Sequence, residues 1–270
     1  MSTDVLIRPA VLTKDDDGFM LRAFDSALPH LAAIGSGDQW GSVPFTSKPS
    51  QVEQTKAAVC TSQRIQALLT DACSSTHPST AYSTGDQASH LRSVLDKVPQ
   101  EQWDEVFVAE RLDPTSDALV RLGAMMCSLY APSYIVQTRP DVFASATTLR
   151  LGQHTQDAAP PTFVYVGRLI VHRDPLGVQA RHGEATTSAD LERSAALGKG
   201  VGGKMMRFAI EQAQLRGIPI MYVDCWNGNG GALVRYYESL GFRRVGTFDV
   251  PDKHGPGLPW SGELLRLDLP

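Results

Sequence analysis

The chain has 270 residues, a formal net charge of −4 and 20% charged residues. That length buries a substantial core, and so ordinary and slightly acidic a surface points away from nucleic acid or an anionic membrane as partner. No basic stretch followed by an apolar one opens the sequence, and no apolar run is long enough to span a bilayer, so a cytoplasmic protein without membrane contact is expected.

Val5-Leu6-Ile7-Arg8-Pro9 reads as a short strand stopped by Pro9, and Thr13-Lys14-Asp15-Asp16 supplies the cap and acidic first turn of a helix reaching about Leu31. The turn-rich stretch from Gly35 to Phe45 carries Trp40 and Phe45, which either pin the loop to the core or wall a substrate pocket. Pro49 to Cys73 has helical spacing. A polar insertion over about 74–100 follows, with a short helix expected around His90 to Lys97. Strands are expected at Glu105 to Glu110 and from Val120 to Val136, as an antiparallel meander. A second polar insertion, 138–161, precedes the apolar strand Thr162 to Val171, and a third covers 172–196.

From Gly203 a helix runs with Met205, Met206, Ala209, Ile210 and Ala213 on one face, and it stops at Arg216-Gly217. Then come the strand Ile218 to Trp226, the loop Asn227-Gly228-Asn229-Gly230-Gly231, and a helix from Ala232 to Leu240 closed by Gly241. Two final strands, about Arg243 to Val250 and Glu263 to Leu269, flank a loop that ends at Trp260.

The run Leu197-Gly198-Lys199-Gly200-Val201-Gly202-Gly203-Lys204 opens directly into the Gly203 helix. Glycines allow close backbone approach, and a helix start offers unpaired N–H groups and partial positive charge, so the turn suits an anion, most often phosphate. Three patterns fit it. Gly198, Gly200 and Gly203 match G-x-G-x-x-G, with Asp224 as the ribose-binding acid of a dinucleotide site. Gly198-x-x-x-x-Gly203-Lys204 matches a triphosphate loop, but Met205 stands where a magnesium-binding Ser or Thr is needed. The third is x-x-x-G-x-G/A on Gly200 and Gly202, which cradles the pyrophosphate of coenzyme A. Both nucleotide patterns need a buried strand running into the glycines, and Ala189 to Ala196 is neither β-branched nor alternating.

The order strand, glycine turn, helix, strand, helix, then two strands resembles the GNAT superfamily of acyl-CoA-dependent N-acyltransferases. Its members carry L-x-V on the fourth strand, then R/Q-x-x-G-x-G/A and later Y-E-x-x-G-F; Leu169-Ile170-Val171, Leu197-x-x-Gly200-x-Gly202 and Tyr237-Glu238-x-x-Gly241-Phe242 match, with Leu197 replacing the usual Arg or Gln. The resemblance is specific over 162–250 and implies one domain over 1–270: an α/β (α+β) fold with a mixed, mostly antiparallel central sheet, flanking helices and splayed fourth and fifth strands. It further implies that Leu169, Ile170 and Val171 line the pantetheine arm of acetyl-CoA and that Lys199, Gly200, Val201, Gly202 and Gly203 bind its pyrophosphate. Gly230 holds the place of a family Asn, which leaves Asn229 as a pantetheine contact or a turn former.

Acyl transfer to an amine needs the amine neutral, and then a leaving thiolate. Tyr237 occupies the family position of the general acid, since a phenol can donate to the developing thiolate. Asp224 is the candidate base, with burial raising its pKa; capping the following turn is its structural alternative. Tyr165, Trp40, Phe45 and Trp260 are the expected lining of the acceptor pocket. His172 reads as a surface residue, and the histidines lack H-x-H or H-E-x-x-H spacing. Cys60, Cys73, Cys127 and Cys225 form no C-x-x-C pair, so reduced thiols and no metal are expected. The leading expectation is an N-acetyltransferase acting on a small-molecule primary amine, as monomer or homodimer. A peptide or protein acceptor, a non-catalytic acyl-CoA-binding regulator and a nicotinamide-dependent oxidoreductase are the alternatives.

Overall fold

The computed structural model describes residues 4–74, 94–95, 97–143, 163–177, 187–253, 255 and 257–270. In chain order its principal elements are β1 (Leu6–Pro9), α1 (Asp16–Ala33), α2 (Pro49–Ser74), β2 (Asp104–Leu112), β3 (Leu119–Ser128), α3 (Ser133–Thr138) and β4 (Val164–Val171). There follow α4 (Ser188–Gly198), α5 (Val201–Leu215), β5 (Ile220–Trp226), α6 (Ala232–Ser239), β6 (Arg243–Val250) and β7 (Trp260–Asp268). The strands form a seven-stranded sheet in the order β1-β2-β3-β4-β5-β7-β6. Pairings β1–β2, β5–β7 and β6–β7 are antiparallel and β4–β5 is parallel, the mixed α/β architecture expected from the order of elements. The parallel ladder runs from Val164↔Met221 to Val166↔Val223, while β4 continues to Val171 and β5 to Trp226.

Two stretches depart from the sequence reading. The strand expected from Val120 to Val136 ends at Ser128, and Ser133–Thr138 is helical. Pro132 takes the N-cap with extended φ −54° and ψ 147°, a position where its missing N–H costs the following helix nothing. The end of the expected third insertion is helix α4, begun by Thr187, whose side chain accepts from the Asp190 amide. Ala, Leu, Glu and Arg then propagate it. Residues 178–186 of that insertion, most of those at 74–100 and 138–161, and most of His90 to Lys97 lie outside the described residues.

The chain divides into two compact units: Met1–Gln63, Glu105–Met126 and Arg168–Ala209 in one, and Arg64–Asp104, Cys127–Gly167 and Ile210–Pro270 in the other. In the first, Phe19, Met20, Ala23, Phe24, Ala27 and Leu31 recur at helical spacing along α1 and bury against Val59, Val106, Val108, Ala124 and Ile170. The second has an aromatic core of Phe143, Phe163, Tyr165, Tyr222, Phe248 and Trp260 with Leu264. Among the described residues no helix is long and apolar enough to cross a membrane.

Asp113, just past β2 in the first unit, accepts hydrogen bonds from Ser116 Oγ (2.8 Å), the Thr115 amide (3.1 Å) and hydroxyl (2.9 Å), and Arg193 (2.7 Å). These bonds, Ser116's foremost, hold its carboxyl at about 2 against an ordinary 3.8. The folded value lies below the unfolded one, so the stabilisation is complete above about pH 4 and is lost as the pH falls toward 2. Asp113→Asn is therefore expected to flatten the loss of stability over that window in urea titrations at successive pH values. An unchanged slope would contradict this.

Candidate active site

In the first unit α4 ends at Gly198, with Lys199 as its C-cap, and Gly200 turns the chain into α5 at φ 77°, a conformation a side chain would strain. The first intrahelical bond of α5 runs from the Lys204 amide to the Gly200 carbonyl at 3.1 Å. The amides before it have no acceptor within the helix and carry the positive end of its dipole. Val201, Met205 and Met206 are fully buried and anchor this turn from beneath. On β4, Ile170 enters the core of the same unit, and Leu169 and Val171 on its other face are half-buried. Gly198 sits against that strand: a Cβ there would stand 3.5 Å from Val171 Cγ1.

Leu197 is 6% exposed, so the departure from Arg or Gln serves packing. A cation reaches the turn another way, through Arg111 of β2, whose Nη1 donates to the Leu197 carbonyl at 2.8 Å. Lys204 Nζ, the lysine of the triphosphate pattern, pairs with Asp4 at 2.9 Å. His172 is half-buried, stacks on Phe19 with ring centroids 5.7 Å apart, and accepts the Asp174 amide on Nδ1. It is a packed residue and not the surface histidine expected. Trp40 and Phe45 both pack on Phe24, at centroid distances of 4.8 and 4.7 Å.

In the second unit the site forms around Asp224 on β5. Tyr165 on β4 donates to Oδ1 at 2.5 Å, and Tyr134 on α3 donates to Oδ2 at 3.1 Å. Trp260, 4% exposed, opens β7 with its ring 5.8 Å from that of Phe248. Both rings lie over Gly262, where a Cβ would meet Phe248 Cζ at 2.4 Å; glycine is required so that the aromatic wall can close. Lys253 sets Nζ 3.7 Å from the Trp260 ring centroid and 5.2 Å from that of Tyr134. Asn229, at φ 50°, opens the short turn Asn229–Gly231 before α6.

Burial raises the Asp224 pKa above its ordinary value, against the opposing pull of the Tyr165 hydrogen bond, the Lys253 charge and the Tyr134 hydrogen bond. A partly buried carboxylate held by two phenols and pushed upward can take a proton from an ammonium and release it to water. Tyr237 on α6 is 5% exposed and packs edge-on against Phe242. Burial, and then Cys225, Tyr236 and Asp224 nearby, raise its pKa well above the ordinary 10, so it stays protonated as a donor.

The structure thus brings Asp224, Tyr165 and Trp260 together and adds Tyr134 and Lys253, which the sequence reading missed. The apolar run through Val136 masks the helical position of Tyr134, and Lys253 sits in a loop without motif spacing. Among the described residues no three His, Cys, Asp or Glu side chains gather in a group able to hold a metal.

Residues 193–242, from α4 through the glycine turn, β5 and α6 to Phe242, match the model of the acetyltransferase (GNAT) family. No curated protein matches the chain in sequence. Among solved structures, an N-acetyltransferase from Staphylococcus aureus Mu50 aligns over 99% of each chain at 14% identity and a TM-score of 0.48. A ribosomal-protein-alanine N-acetyltransferase from Brucella melitensis aligns over 98% of this chain and 99% of its own, at 16% identity and a TM-score of 0.43. A GNAT superfamily phosphinothricin acetyltransferase from Sinorhizobium meliloti, in complex with acetyl-CoA, aligns over 98% and 88%, at 12% identity and a TM-score of 0.45. Likenesses this distant say nothing about an acceptor.

Proposed function

We propose that this chain, whose residues 193–242 match the model of the acetyltransferase (GNAT) family, transfers the acetyl group of acetyl-CoA to the primary amine of a small molecule by direct attack. The observation that carries this reading is Asp224, fixed by Tyr134 and Tyr165 beside the aromatic wall of Trp260 and Phe248. In this reading Asp224 takes the proton that leaves the incoming ammonium, and Tyr165 and Tyr134 orient its carboxylate. Trp260 supports the amine through its ring face. Tyr237, kept protonated by burial, donates to the sulfur as the carbon–sulfur bond breaks. The glycine turn, with Lys199 to Gly203 at its centre, fits a pyrophosphate because its amides point outward from a helix start. Leu169, Ile170, Val171 and Asn229 are assigned to the pantetheine, and Trp40 and Phe45 to the acceptor's surroundings. The protein acts in the cytoplasm, as monomer or homodimer, and needs no metal.

The test begins with melting temperatures in acetyl-CoA, CoA, ATP and NADH, added singly. A ligand at one hundred times its Kd stabilises the folded state by about 2.7 kcal/mol. A rise with the two CoA species alone, followed by thiol release in a library of small amines, is expected. A rise with NADH alone would defeat the reading, and thiol release with peptides only would shift the acceptor to a protein. Tyr237→Phe is expected to lower kcat about a hundredfold while keeping the acetyl-CoA melting shift. A non-catalytic CoA-binding protein would show the melting shift and no turnover in either form.

A further inference from the structure

Lys253 lies in the connection between β6 and β7, where Asp252 takes a positive φ of 54° and its side chain accepts the Gly257 amide at 2.6 Å. The Gly255 amide also returns to the Asp252 carbonyl at 3.1 Å, so the backbone carrying Lys253 is tied to itself. From this tied turn Nζ reaches the Trp260 ring face at 3.7 Å and the Tyr134 ring at 5.2 Å. Tyr134 is the same phenol that donates to Asp224, and the charges of Lys253 and Asp224 act on each other. A lysine over an aromatic ring is ordinarily a packing feature. Here the ring's neighbour is a carboxylate assigned to deprotonate an amine, and the lysine supplies a primary amine of the required kind.

We infer that Lys253 is itself an acetyl acceptor, modified in cis when no external amine fills the site. The inference rests on the reading of Asp224 and the aromatic wall given above. Asp224 takes a proton from the Lys253 ammonium, and the freed lone pair attacks the thioester carbonyl carbon of acetyl-CoA. A carbon–nitrogen bond forms, the carbon–sulfur bond breaks, and the CoA thiolate leaves, protonated by Tyr237 or solvent. The second proton lost from nitrogen passes to water, leaving Nε-acetyl-lysine, CoA thiol and one released proton. Acetylation removes the positive charge from the wall and with it one of the forces that hold the Asp224 pKa down.

The test incubates the full chain with acetyl-CoA alone over a tenfold dilution series, read by intact mass and peptide mass spectrometry. One added acetyl group is expected, on Lys253, with a first-order rate that dilution does not change. Lys253→Arg should abolish it, and Asp224→Asn should slow it about tenfold or more. Acetyl groups spread over several lysines at the rates of the urea-unfolded chain would overturn the inference, as would a rate that rises with protein concentration. The melting shift distinguishes failure of cis acetylation from failure of acetyl-CoA binding. If acetyl-CoA raises the melting temperature and Lys253 stays unmodified, this inference falls and the proposed function stands; if acetyl-CoA binds nowhere, both fall.

Discussion

Asp16→Ala is expected to lower the stability of the chain by about 3–5 kcal/mol, among the largest effects any single side chain here can give. Asp16 is completely buried at the start of α1. Its carboxylate accepts Arg8 Nη1 at 2.6 Å, Arg8 Nη2 at 3.1 Å, the Val11 amide at 2.8 Å and Arg121 Nη1 at 3.4 Å. Arg8 bonds Glu110 as well, at 2.6 Å, which ties β1, α1 and β2 through one guanidinium. Burial alone would push the Asp16 carboxyl up, but the Arg8 hydrogen bonds and the Val11 amide outweigh it and hold the pKa below the ordinary value. Alanine leaves the half-buried Arg8 guanidinium short of a carboxylate and strands the Val11 amide; asparagine keeps an acceptor and should cost less. Urea unfolding of the two variants checks this order. A loss under about 1 kcal/mol for Asp16→Ala would mean that water replaces the carboxylate.

How much of this was legible in the sequence depends on how local each determinant is. The glycine turn, α5 with its buried methionines, β5 and the Tyr237 helix are specified within a few residues by punctuation and spacing, and they stand where they were expected. Asp16 shows the opposite case. The sequence marks it as an acid in a helix first turn, which is true, yet its energetic role depends on Arg8, Arg121 and Glu110, one of them 94 positions further along the chain and set beside Arg8 by strand pairing. Tyr134 was missed because Ile135 and Val136 prolong an apolar run, and only Pro132 signals that the strand has ended. Lys253 and Arg111 had no signal at all: each reaches its place from a different strand or hairpin. Asp224 itself was readable as a buried acid at a strand end, but its partners were not.

Asp224→Asn is expected to reduce kcat/KM by about 10²–10⁴, because the amide keeps one oxygen to accept from one of the two phenols, Tyr165 or Tyr134, but no longer takes a proton. The acid limb of the pH profile should vanish with it. Tyr165→Phe tests the same group without removing it. The phenol's hydrogen bond favours the charged carboxylate, so its loss raises the Asp224 pKa further and moves the acid limb toward higher pH. Lys253→Met removes a favourable positive charge and should move the limb in the same direction. Two variants on different elements that shift one limb the same way, and a third that deletes it, would identify Asp224 as the titrating base. If the limb survives in Asp224→Asn, the proton leaves through another group and Asp224 only orients the cation. If Tyr165→Phe moves the limb downward, the phenol is acting on something other than this carboxylate.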